Sequence, residues 1–154
     1  MKKLFLIPVL SLLFILNIGS TCTKEEAPTS TSVDPIPVIN SVNNGNWRVT
    51  LYDDSGTNET TNFTNYNFTF GPNNVLTASN TTNTYTGTWS VTSDNSGDDS
   101  PNNDLDFNIA FSSPSNFLDL TDDWNIISYT STKIQLVHVS GGNGGTDYLT
   151  FEKN

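Results

Sequence analysis

With 154 residues, the chain has room for one domain with a modest core once an N-terminal leader is set aside, and no room for two. Its 16 acidic side chains against 6 basic ones disfavour nucleic acid and anionic headgroups as partners, and mainly serve solubility. A single cysteine excludes an internal disulfide, and a composition rich in Asn, Thr, Ser and Asp but poor in Lys, Arg and Ala favours strands and turns over helices, so an all-β domain is expected.

Lys2 and Lys3 give the chain a positive start, and Leu4 to Ile18 is an apolar run broken only by Pro8, Ser11 and Asn17. The run is too short to span a bilayer comfortably and matches the apolar core of an export signal covering residues 1–21. Gly19, Ser20 and Thr21 are small and lead directly into Cys22, the one thiol. This region resembles the leaders of lipoproteins from gram-negative bacteria, particularly Bacteroidota. The resemblance implies cleavage before Cys22, acylation of its thiol and attachment to the outer membrane. The acidic residues in Lys24-Glu25-Glu26 look like the surface-export signal of that class and imply exposure at the cell surface. Cleavage after Ser20 would instead give a secreted protein with a free thiol. Losing Lys2 and Lys3 leaves four of the 6 bases against all 16 acids.

Residues 22–42 read as a lipidated tether. Pro28, Pro35 and Pro37 stand among Thr, Ser and acidic residues without apolar periodicity, which suits an extended spacer that holds a globule clear of a lipid surface. The domain proper is expected over 43–154. Trp47, Val49 and Leu51 alternate with Arg48, Thr50 and Tyr52, and Asp53-Asp54-Ser55-Gly56 ends the run as a turn. Tyr66, Phe68 and Phe70 alternate with polar residues, and Gly71-Pro72-Asn73-Asn74 then leads into Val75 to Ser79, a hairpin pattern. Tyr85, Gly87, Trp89 and Val91 share one face of the next strand.

Asp94 to Asp104 is a hydrated loop by composition. Leu105, Phe107, Ile109 and Phe111 define another strand, broken by Pro114, and Ser115 to Asp123 has space for one helical turn. Strands over Trp124 to Tyr129, Lys133 to Val139 and Tyr148 to Lys153 complete the series, the last two joined through Gly141-Gly142-Asn143-Gly144-Gly145. Beyond that turn, no stretch after Cys22 has the spacing or length of a helix. About eight short strands with local turns predict an antiparallel up-and-down β-barrel or, as the alternative, a two-sheet β-sandwich.

Gly45-Asn46-Trp47, at the start of the first strand, favours the barrel. A glycine, any residue and then tryptophan resembles the opening of lipocalins and of the small lipocalin-like domains on Bacteroidota lipoproteins. In that family the tryptophan closes the narrow end of the barrel, a basic residue of the last strand packs on it, and a helix follows. Lys153 is the candidate for the basic residue here, and no C-terminal helix is present. The resemblance implies a non-enzymatic domain that holds a small apolar ligand. The lining would be Trp47, Tyr66, Phe68, Tyr85, Trp89, Phe107, Ile134 and His138, large side chains on the inward faces with Tyr and His able to orient a polar group. Eight strands enclose a space that side chains can fill completely. A filled core would make the domain an envelope structural or protein-interaction module instead.

Signals of catalysis are absent. The sequence has one His and no nucleophile elbow, zinc helix or phosphate loop, and it implies no cofactor and no metal. His138 shares a face with Ile134 and Leu136 and reads as a hydrogen-bonded core residue. The Asp94 to Asp104 loop carries oxygen ligands that calcium accepts, but not at EF-hand spacing. The Asn-X-Thr triplets at Asn58, Asn62, Asn67 and Asn80 follow from composition.

Overall fold

The computed structural model describes residues 33–94, 104–142 and 144–154. The expected signal, Cys22 and residues 95–103 of the oxygen-rich loop lie outside them. Nine strands follow one another in antiparallel order: β1 (Trp47–Asp54), β2 (Thr57–Asn58), β3 (Asn67–Phe70), β4 (Val75–Ser79), β5 (Thr84–Asp94), β6 (Asp104–Ala110), β7 (Asp122–Tyr129), β8 (Lys133–Val139) and β9 (Thr146–Lys153). β1 pairs with β9 from Trp47↔Lys153 to Asp53↔Tyr148, so the sheet closes on itself. The fold is therefore an eight-stranded antiparallel β-barrel with the two-residue β2 as an appendage to β1. Among the described residues no helix is long and apolar enough to cross a membrane.

The period-two pattern places its large side chains as expected. Trp47, Phe68, Trp89, Phe107 and Leu136, each from a different strand, are all buried. One inward assignment changes. A register shift between Val49 and Leu51 inverts the parity of β1, so Tyr52 is buried and Leu51 only half-buried, the reverse of strict alternation.

The expected tether is helical in its last part. α1 (Ile36–Val42) starts behind Pro35, with Pro37 in its first turn, where a missing backbone N–H costs nothing. Its residues Val38 and Val42, four apart and so on one face, are sealed against the barrel. The Trp47 indole N–H donates to the Val42 carbonyl at 3.0 Å, which joins the helix to the first strand. Gly45 makes the turn between them at φ 102°, a backbone conformation that a side chain would strain.

α1 covers one end of the barrel. At the opposite end a 3-10 turn (Thr60–Phe63) and the single-turn α2 (Ser115–Leu118), the helical turn for which the sequence left space, bring Phe63 and Phe117 over the opening. Both rings are buried, 5.4 Å apart edge to face.

Candidate functional site

The eight residues expected to line a binding cavity divide into two groups. Trp47, Phe68, Phe107 and Ile134 are 0% exposed, which leaves no water-sized space beside them. They are held by rings that the sequence reading did not assign to the lining. Phe151 packs on Phe68 at 5.2 Å, and Phe70 packs on Phe107 and Phe151 at 5.4 Å each. Phe117 stacks on Phe68 at 5.9 Å from the α2 end. Phe70 and Phe151 were legible as inward positions of their strands. Phe117 carried no periodic signal because it comes from a single helical turn.

The other four sit nearer the surface. Trp89 stacks on Phe107 at 6.0 Å, and its indole N–H donates to the Gly71 carbonyl at 3.0 Å, so its outer edge borders shallow depressions beside Pro72 and Asn74. Tyr66 and Tyr85 are half-buried at the α2 end, 5.8 Å apart, each about 5 Å from Phe117. His138 is also at this end, its ring 6.2 Å from that of Trp124.

Around His138 the barrel's inner face turns polar. Asp122 begins β7, and Asp147 is the direct cross-strand partner of His138. His138 Nδ1 lies 3.0 Å from Asp122 Oδ2 and 3.9 Å from Asp147 Oδ2, yet it is a buried atom with no hydrogen-bond partner. One carboxylate oxygen each of Asp122 and Asp123 and a ring nitrogen of His138 fall within 4.8 Å of one another, a spacing that can hold a metal ion. Asp147 is fixed from the other side, because its Oδ1 accepts from the Ser55 backbone N–H at 2.8 Å and from the Ser55 hydroxyl at 3.0 Å. Burial, reinforced by the Asp123 carboxyl beside it, raises the Asp122 carboxyl above its ordinary range, although the Asp123 N–H and His138 pull the other way. Nearby, Tyr52 donates its hydroxyl to the Asp119 carbonyl at 2.9 Å. Burial and the surrounding carboxylates of Asp54, Asp119, Asp147 and Glu59 push its phenol well above the ordinary value. His138 was legible in the sequence, whereas its acidic neighbours, which reach it from other strands, were not.

At the α1 end, Lys153 Nζ lies over the Trp47 ring, 5.0 Å from its centroid. A depression with a mainly apolar wall is also on that side, lined by Val33, Val38, Leu105, Ile126, Ile127 and Tyr129 among others. No protein-family model matches the chain, and no curated protein or solved structure matches it either.

Proposed function

We propose that this chain is a lipid-anchored envelope protein, held at the outer membrane and facing the cell exterior, whose non-enzymatic barrel serves as an interaction module through its surface. The anchor rests on the Met1 to Cys22 pattern, a charged start, a short apolar core and small residues before a lone cysteine. The barrel resembles lipocalin-like domains in its eight strands, in Gly45-Asn46-Trp47, and in the Lys153 ammonium stacked on Trp47. The observation that carries the choice of module over ligand cup is the interior itself. Trp47, Phe68, Phe107 and Ile134 have no accessible surface and belong to one packed core, in which Phe151 packs on Phe68 and Phe70 packs on Trp47 and Phe107. A ligand in the lumen would have to displace that packing, at a cost its own burial could not recover.

Two measurements test the two halves separately. Intact-mass analysis of the native protein should show a chain beginning at Cys22 with acyl groups, and Cys22→Ser should move it to the soluble fraction with its melting temperature unchanged. An unacylated mass with a free thiol would remove the anchor. Titration of the folded domain with a solvatochromic apolar probe should give no saturable signal and no tryptophan quenching that fatty acids reverse. Saturable, competable binding would restore the cup.

A further inference from the structure

We propose that His138, Asp122 and Asp123 form a binding site for a divalent transition-metal ion of the Zn2+ type at the α2 end of the barrel, with Asp147 completing or orienting it. The site is independent of the membrane anchor and of whether the lumen is filled. Its geometry is that of groups converging on a third point. Two ligands sharing a tetrahedral metal at about 2.0–2.1 Å each are about 3.3–3.4 Å apart. His138 Nδ1 and Asp122 Oδ2, at 3.0 Å, need only part by a few tenths of an ångström to reach that separation. At such a distance a direct hydrogen bond between them is the expected alternative. Nδ1 does not make one, although it is buried, and a buried polar atom without a partner is rare and costly.

Charge favours the same reading. Three carboxylates, those of Asp122, Asp123 and Asp147, surround one imidazole, so even a protonated His138 leaves the group negative. A divalent ion offsets that charge and gives Nδ1 its missing partner. Asp147 has the arrangement of a supporting residue, with Ser55 holding one carboxylate oxygen while the other lies on the His138 side. Asp123 is exposed, which gives an ion a route in. The donor set selects the metal class. One imidazole nitrogen with carboxylate oxygens suits Zn2+ and its first-row neighbours, whereas Ca2+ requires six to eight oxygens and Mg2+ keeps most of its water.

His138 is the chain's only histidine, so an untagged chain reports on the site without ambiguity. Zn2+ alone, titrated into the folded full chain, should bind near one to one by calorimetry, raise the melting temperature and shift the single set of imidazole resonances. His138→Gln and Asp122→Asn should each weaken binding at least tenfold while the metal-free variants melt as cooperatively as the parent. Asp54→Asn, at the same end but outside the cluster, should leave affinity within twofold. Unmoved imidazole resonances at saturating Zn2+, unchanged affinity in His138→Gln, or equally tight binding of Ca2+ would each overturn the proposal. The resonance readout stands even if one of the variants proves unstable.

Discussion

The two ends of this barrel are closed by different physics. At the α1 end the closure is hydrocarbon: Val38 and Val42 of the helix are buried against the barrel, and the Trp47 indole donates to the Val42 carbonyl. At the α2 end, Phe63 and Phe117 cover one side of the opening, while Tyr52, Asp122, His138 and Asp147 gather on the other. Burying apolar surface stabilises the first closure directly. The second keeps partly buried charge, which is costly unless something compensates it. Apolar burial dominates the first closure, whereas the second combines buried rings with partly buried charge.

The largest effect that could break this contrast is the loss of a closing ring. Trp47→Ala should destabilise the domain by roughly 3–5 kcal/mol, because a fully buried indole and its hydrogen bond are both removed. Phe117→Ala should fall at or below the lower end of that range, since the half-buried Tyr66 and Tyr85 can move into the space. Denaturant midpoints for the pair give the order, and equal or reversed losses would show the two closures to be equivalent.

A smaller effect tests the polar end alone. Tyr52 has its phenol pKa raised in the folded state, so its contribution to stability is whole below about pH 10 and is lost as pH rises beyond that. Tyr52→Phe should cost about 0.5–1.5 kcal/mol at neutral pH through the hydrogen bond to the Asp119 carbonyl. The difference from the parent should then shrink as pH climbs, measured by unfolding at matched pH values. A gap that stays constant to high pH would mean that the phenol titrates normally.

The smallest effect belongs to the other end. Lys153→Gln should cost about 0.5–1 kcal/mol, the value of a solvent-contacting cation over an indole face. High salt should erase little of it, because the lysine stem still covers the ring. A loss above 2 kcal/mol would mean that the last strand seals the α1 end more tightly than α1 does.

Most of the barrel was legible because its signal is local. Tyr85, Gly87, Trp89 and Val91 alternate within one strand, and such alternation fixes the buried face before any partner is known. Tyr52 was misplaced because the bulge between Val49 and Leu51 leaves no mark in composition. α1 was read as tether for a related reason. Seven residues with a proline in the first turn are too few to establish a helical period, and only the spacing of Val38, Ile39 and Val42 hinted at it. The His138 cluster was illegible in principle, since Asp122, His138 and Asp147 lie on three strands and meet only through their registers.

Closure of the sheet by β1 and β9 also sets when this fold can come into being. Arg48 bonds Asn154, 106 residues further on, and the neighbouring strand for most of β1 is encoded in that same distant stretch. Until β9 has been synthesised, β1 and β8 both present unpaired backbone, and the ring contacts of Phe151 that lock Phe68 and Phe70 do not exist. A growing chain is therefore held short of its native state until β9 has emerged, slow to fold by contact order. Under the proposed export and anchoring, which require the chain to thread a translocation channel before it folds, that delay is an advantage. Once the seam is made, β9 and the matching edge of β1 are no longer open to another chain.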